Sequence, residues 1–384
     1  MADVSVEGTV QDRFAAVKRQ FEANLASGED VGASVAIVLD GELVVDLWGG
    51  TLTGDDGVVK PWERDTLINV WSTTKTMAAL SALLLADRGE LDVDAPVATY
   101  WPEFAANGKD GVLVRHLLSH SAGLSGWQEP MTTQDLYDWE KATSLLAAQA
   151  PWWEPGTASG YHAITQGYLV GEVVRRVSGA TVGSFFASEI AAPLGADFFI
   201  GTPASEDHRV AHVIPPAAPL GDDAPADTAS VQYRTLSNPR LDAAASQTVA
   251  WRRSEIPAAG GHGNARSVAT AQSVVSHGGE VNGVRLLSEA GVERIFREQS
   301  YGQDLVLPAT FKLGIGYGLN CAEIPISPNP RACFWGGWGG SLCINDLDAR
   351  MTFAYVMYRM GEGTTGDVRG GSLLMAAFGA MANT

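Results

Sequence analysis

Apolar and polar positions alternate with two periods along this chain, and the switches between them mark out its elements. From about Gln11 to Ser27, apolar residues including Phe14, Val17 and Phe21 recur at helical spacing among charged ones, which predicts an amphipathic helix closed by Gly28. Gly32 to Leu39 and Glu42 to Trp48 are β-rich runs separated only by Asp40-Gly41, a two-residue hairpin signal, so an antiparallel sheet opens here. A polar stretch from Thr53 to Arg64 follows. Thr66 to Val70 then reads as extended, and the Ala- and Leu-rich run from Met77 to Ala86 reads as a helix that ends near Gly89.

From Asp92 to about Ser254 the texture becomes helical, with Val112 to Ser119, Thr133 to Ala148 and Ala163 to Val177 as the clearest segments. Thr202 to Arg253 is dense in Ala, Pro and Asp and reads as a long loop, a pocket wall or lid. After His262 the pattern is mixed. Helices are expected over Ser267 to Gly278 and Ser288 to Glu298, strands over Tyr317 to Ala322, Ala332 to Trp335, Ser341 to Asn345 and Met351 to Met360, and a last helix near Ser372 to Met381. The early hairpin and the late strands share one sheet only if the helical region is inserted between them. The expected class is therefore α+β, an antiparallel sheet flanked by helices with an inserted, mainly helical domain: residues 1–90 plus 260–384 form one unit, and 91–259, with long pocket-lining loops, the other.

Composition narrows the function. The 384 residues, 46% of them hydrophobic, can bury a sizeable core, and a net charge of −18 would repel a polyanion, so no nucleic-acid partner is expected. The N-terminal sequence has no basic and apolar leader, and the longest apolar run is too short to span a bilayer, which predicts a cytoplasmic protein without a membrane partner. Cys321, Cys333 and Cys343 are odd in number and lack metal-ligand spacing; they read as free thiols in a reducing compartment, with neither metal nor cofactor. Oligomeric state stays open.

The candidate chemistry begins at Val70 to Leu80, where Ser72 and Lys75 stand one helical turn apart at a helix start. Unpaired N–H groups and the positive end of the helix dipole there suit a nucleophile. An unshifted lysine, with a pKa near 10.4, would be neutral in only about one molecule in a few thousand at pH 7, so a base at Lys75 has to be desolvated. By itself the pair is equally a serine N-cap followed by a surface lysine.

Three further runs follow in order: Arg115-His116-Leu117-Leu118-Ser119-His120-Ser121-Ala122-Gly123-Leu124, then Pro155-Gly156-Thr157-Ala158-Ser159-Gly160-Tyr161, then Phe334-Trp335-Gly336-Gly337-Trp338-Gly339-Gly340-Ser341. Their order and spacing resemble the serine β-lactamase and penicillin-binding protein superfamily, and within it the class C β-lactamase-like (family VIII) carboxylesterases. The resemblance spans nearly the whole chain. It implies that Ser72 accepts the acyl group, that Lys75 is its neighbouring base, and that Tyr161 stands at the tyrosine of the Y-x-N motif and shuttles the proton, its phenol pKa lowered by the lysine ammonium. By the same analogy the N–H groups of Ser72 and Trp338 form an oxyanion hole, and Trp335-Gly336-Gly337 replaces the K-T-G run. Ala163 replaces the Y-x-N amide, which weakens the case for lactam recognition. His162, Trp127 and Trp152 flank the second motif as candidate pocket residues, although core packing explains the two tryptophans equally well.

With no G-x-S-x-G elbow, His116, His120 and His262 read as structural rather than as members of a Ser-His-Asp triad. The function implied is a serine carboxylesterase that cleaves short-chain, uncharged carboxylic esters, small molecules, through an acyl-enzyme on Ser72. A β-lactamase, a D-amino-acid peptidase, an amide hydrolase or acyltransferase on the same scaffold, and a catalytically idle binding protein are the alternatives.

Overall fold

In the computed structural model, residues 5–54, 56–221 and 227–382 are described. A single antiparallel path runs Val6–Val10, Glu42–Thr53, Gly32–Leu39, Met351–Met357, Leu342–Asp346, Ala332–Gly336, Gly318–Leu319, Thr310–Leu313 and Ser300–Gln303, with Val59–Pro61 paired to the end of the Glu42–Thr53 strand. Sequence-distant ends therefore meet at its centre, where Ala36 stands opposite Ala354. The hairpin at Asp40-Gly41 has positive φ at both residues (50° and 84°), the mirror-image turn whose twist suits two-residue hairpins.

Both faces of the sheet are covered. Thr352 bonds to Ser276 of the Ala265–Ser276 helix, whereas Tyr355, of opposite parity along the same strand, packs toward Gly370 of the C-terminal helix Val368–Ala382. Successive residues of a strand point to opposite sides, so these two helices lie on different faces. The N-terminal helix Ala15–Ser27 pairs with the C-terminal one and closes on Gly28 in the left-handed conformation.

Residues 91–259 carry Val114–Leu118, Trp139–Ala148, Thr165–Ser178, Val182–Phe186 and several shorter helices. They are stitched to the rest by a small sheet in which Gly261–Gly263 pairs with both Ile68–Asn69 and Phe199–Ile200. Between them runs the Ser72 helix, a 3₁₀ turn Trp71–Thr73 leading into Thr74–Asp87, buried at every position from Thr74 to Ala86. A helix apolar all round belongs inside, and the Ala- and Leu-rich run supplies that.

Three expectations need correction. Thr202 to Arg253 is not one long loop: among its described residues are helical turns at Ala204–Arg209, Val231–Ser237, Ala243–Gln247 and Val249–Arg253, the last three started by the side chains of Ser230, Asp242 and Thr248. The strand Val6–Val10 went unforeseen because Gly8 interrupts a five-residue run. So did the edge hairpin Ser300–Gln303 with Thr310–Leu313, whose half-exposed, polar first strand lacks apolar alternation.

Candidate active site

Ser72 is set at the junction of the small sheet, the large sheet and its own helix. The preceding residue, Trp71, has φ +49°, a strained conformation for a bulky side chain, held by packing against Trp251 (5.4 Å) and Trp338 (4.9 Å). Thr74 Oγ1 donates to the Trp71 carbonyl at 2.5 Å and accepts the Gly261 N–H at 2.9 Å. From the other side, Ser341 Oγ donates to the Val70 carbonyl (2.7 Å) and lies 2.9 Å from Thr73 Oγ1, which fixes the start of the Leu342–Asp346 strand to the helix start.

The close approach demands glycine. A Cβ on Gly337 would stand 2.4 Å from the Val70 carbonyl oxygen, and one on Gly336 would stand 2.3 Å from the Thr365 carbonyl. Trp338 follows directly, inside a turn closed by Gly340 N–H to Gly337 O at 3.1 Å. Ser72, in the first helical turn, has no intrahelical acceptor for its own N–H.

Lys75 Nζ donates to the Ala163 carbonyl (2.7 Å) and the Ala258 carbonyl (3.0 Å), and lies 3.0 Å from both Ser72 Oγ and Tyr161 Oη. Tyr161 Oη donates to Ser72 Oγ at 2.6 Å. Burial without a carboxylate partner holds the Lys75 amine well below the usual lysine range. A neutral amine has two N–H donors and one lone pair. In that deprotonated form, with both donors on carbonyls, the lone pair can accept from the Ser72 hydroxyl, whose oxygen in turn accepts from Tyr161. One proton chain, Tyr161 to Ser72 to Lys75, thus accounts for every donor.

The expected lowering of the Tyr161 phenol is wrong in sign. Burial pushes it up to about 12, opposed by its contact with Ser72. The reason is burial itself, which disfavours the charged phenolate by more than the Ser72 contact favours it.

Tyr161 is positioned from behind. Its N–H donates to Asp304 Oδ1 (2.9 Å), which also accepts from Val306 and Leu307. His120 meets the Tyr161 ring edge-on at 5.2 Å and stacks on Trp335 at 5.1 Å. Trp335 is buried, 5.5 Å from Tyr161 ring to ring. Its N–H closes no full hydrogen bond, yet it lies near enough to the Tyr161 oxygen to favour the anion.

A sequence profile described as "Beta-lactamase" matches residues 17–376. The chain belongs to the β-lactamase family. Esterase/beta-lactamase LipL of Mycobacterium tuberculosis (strain ATCC 25618 / H37Rv) is 36% identical over 368 residues, 92% of this chain and 83% of that protein. Esterase EstB of Burkholderia gladioli is 30% identical over 193 residues, 46% of this chain and 48% of its own. The crystal structure of a family VIII carboxylesterase superposes with a TM-score of 0.91 at 42% identity, covering 98% of this chain and 100% of that one. A penicillin-binding protein homolog from Caulobacter crescentus does so with 0.89 at 40% identity and the same coverage. The family resemblance and the fold read from the sequence are both borne out, and this member of the β-lactamase family is a serine hydrolase.

Two of the three pocket candidates, His162 and Trp127, lie elsewhere than expected. His162 is fully buried; it accepts the Leu124 N–H on Nε2 (3.1 Å) and donates from Nδ1 to the Gly160 carbonyl (2.6 Å), so it holds backbone rather than lining a pocket. Burial drives it to about 3, leaving it neutral. Trp127 is core: its N–H donates to the Ala142 carbonyl at 2.9 Å and its ring packs on Tyr168. Trp152 sits against Gly126 with the Arg234 guanidinium 3.8 Å over its ring, and makes no ring contact or hydrogen bond with the Ser72 group.

His116 and His262 are likewise held neutral by burial, at about 4 and about 3, and His120 well below its ordinary value. Asp304, Ser341 and the carbonyls of Ala163 and Ala258 were not foreseen. Only Ser341 had a sequence signal, as the polar end of the Gly-rich run. Among the described residues no His, Cys, Asp or Glu group could hold a metal ion, and no helix is long and apolar enough to cross a membrane. A cavity of about 980 Å³ lies in the helical region, walled by Trp101, Trp139, Glu172 and Arg176, and includes none of Ser72, Lys75 and Tyr161.

Proposed function

We propose that the chain is a carboxylesterase that cleaves short-chain, uncharged esters through an acyl-enzyme on Ser72. The observation that carries this reading is Ser72 Oγ held at once by Lys75 (3.0 Å) and Tyr161 (2.6 Å). Lys75, neutral at rest, takes the Ser72 proton as Oγ bonds to the acyl carbon, and the carbonyl oxygen turns anionic against the Ser72 and Trp338 N–H groups. As the bond to the leaving oxygen breaks, Tyr161, protonated at rest with its phenol at about 12, gives that oxygen a proton and regains one from Lys75. Water then attacks the acyl-enzyme, gives up its proton by the same route, and frees Ser72 and the acid.

Substrate charge follows from Trp335. Where superfamily members with lysine attract a carboxylate, this chain presents an uncharged indole, and a net charge of −18 adds repulsion of anions. The likeness to LipL, an esterase/beta-lactamase, and to a family VIII carboxylesterase supports ester cleavage. The free thiols Cys321, Cys333 and Cys343 support a reducing, cytoplasmic setting.

The test is a panel of p-nitrophenyl esters, nitrocefin and a D-alanyl amide, with a fluorophosphonate adduct mapped by mass spectrometry. Ester turnover with the label on Ser72 is expected. Label on another serine, or nitrocefin turned over better than the esters, overturns the reading. LipL is named as both esterase and β-lactamase, so β-lactam cleavage is the second reading, and nitrocefin decides it.

A further inference from the structure

The turn that carries Trp338 is built almost wholly of glycine, with Gly339 and Gly340 at φ of 92° and 124°. Such a turn has little stiffness of its own, because glycine gains no restraint from a side chain. It is held from outside. Gly339 donates to Gly363 O and accepts from Gly361 N–H, both at 2.8 Å, and Gly366 N–H reaches Gly337 O at 3.3 Å.

Among the described residues, the side chain that hydrogen-bonds to it is Arg369, from the start of the C-terminal helix. Nη2 donates to the Gly339 carbonyl at 2.7 Å and to Asp367 Oδ2 at 2.5 Å, Nε donates to Asp367 Oδ2 at 3.0 Å, and Nη1 serves Asp30 Oδ1 (3.0 Å), the Arg359 carbonyl (2.9 Å) and the Glu29 carbonyl (3.2 Å). All five guanidinium donors are engaged, on four separate stretches of chain, by a group only 6% exposed. Asp30 is itself fixed by Tyr355 Oη at 2.6 Å. A carboxylate pair and a planar fork are far more than is needed to cap a helix.

We infer that Arg369, anchored by Asp30 and Asp367, is a positioning residue that fixes the Gly-rich turn so that the Trp338 N–H meets the oxyanion. The inference deepens the proposed function and rests on it. An oxyanion exists in the transition state and not in the bound ester, so loosening the turn lowers kcat and leaves KM.

Arg369→Lys keeps the charge and loses the fork. Expected are kcat per titrated site about tenfold lower or more, KM within about twofold, and an equal loss of affinity for an alkyl trifluoromethyl ketone, whose adduct on Ser72 carries the oxyanion. Fluorophosphonate titration counts the folded sites, so reduced stability alone does not mimic the effect. Should Arg369→Lys fail to fold, Asp367→Asn carries the test, with several-fold losses in kcat and ketone affinity together. Unchanged kcat per titrated site with only a lower Tm overturns the inference and leaves the Ser72 reading intact. A wild type that takes no label on Ser72 sinks both.

Discussion

Two regions of this molecule collect aromatic and charged side chains, and they differ in how their charges are settled. In the helical cavity, Glu172 accepts from Arg175 (2.8 Å), Arg176 (2.7 Å) and the Trp139 N–H (2.8 Å), and these partners hold its carboxyl below the ordinary range despite burial. At the Ser72 corner, Lys75 is buried with no carboxylate at all, and burial pushes its amine and the Tyr161 phenol in opposite directions. The first region is electrostatically quiet; the second stores a base and an acid. Perturbation by burial, with no charge partner to offset it, marks the place where protons move.

The contrast breaks most sharply at the proton chain. Lys75→Ala and Tyr161→Phe should each lower kcat by about a thousandfold, and the double variant little more, because the two serve one relay. Clean additivity in kcat would show that they act independently.

Next is pH. Lys75 works as the neutral amine, and its folded pKa is lowered, so kcat/KM on a neutral ester should climb as pH rises through that lowered value and be flat well before the ordinary 10.5. Loss of activity follows only when Tyr161 ionises, at about 12. The histidines around the site, His120 and His162, and His262 beyond it, are held well below 6.5 and contribute no inflection near neutrality. A rate still climbing at pH 10 would return Lys75 to ordinary chemistry and dissolve the difference between the two regions.

A charge introduced at Trp335 sharpens it. A charge-assisted hydrogen bond is worth about 1.5 to 3 kcal/mol, so Trp335→Lys should shift the kcat/KM ratio of matched anionic and neutral esters by roughly ten- to a hundredfold toward the anion. Added salt should shrink the shift. A ratio that ignores the substitution would mean that Trp335 does not set charge preference.

What was legible in the sequence follows the same division. The hairpin at Asp40-Gly41 and the central strands could be read because the turn chemistry and the apolar runs are local. Ser72 and Lys75 could be read because they lie one turn apart. Lys75's other partners, the Ala163 and Ala258 carbonyls, are backbone atoms distant in sequence, and no residue type announces a carbonyl. Asp304 reaches Tyr161 across 143 positions from a loop with no motif. Trp127 and His162 were misread because an aromatic beside a motif looks the same whether it faces a pocket or the core. The sign at Tyr161 was missed because it depends on how deeply the phenol is buried, which sequence does not display.

The smallest expected effect on activity, and the one that tests the quiet half, comes from Glu172→Gln. The amide preserves volume and leaves an oxygen for the Trp139 N–H, but it cannot neutralise two guanidinium groups. Arg175 and Arg176 are 43% and 25% exposed, so water recovers part of the loss. A cost of about 1 to 2 kcal/mol in stability is expected, read as a Tm lowered by a few degrees. Because Glu172 makes no contact with Ser72, Lys75 or Tyr161, kcat and KM should stay within about twofold. A large fall in kcat with Tm unchanged would show that the cavity is coupled to the chemistry, and that the charge pairing around Glu172 is part of the working enzyme rather than of its scaffold.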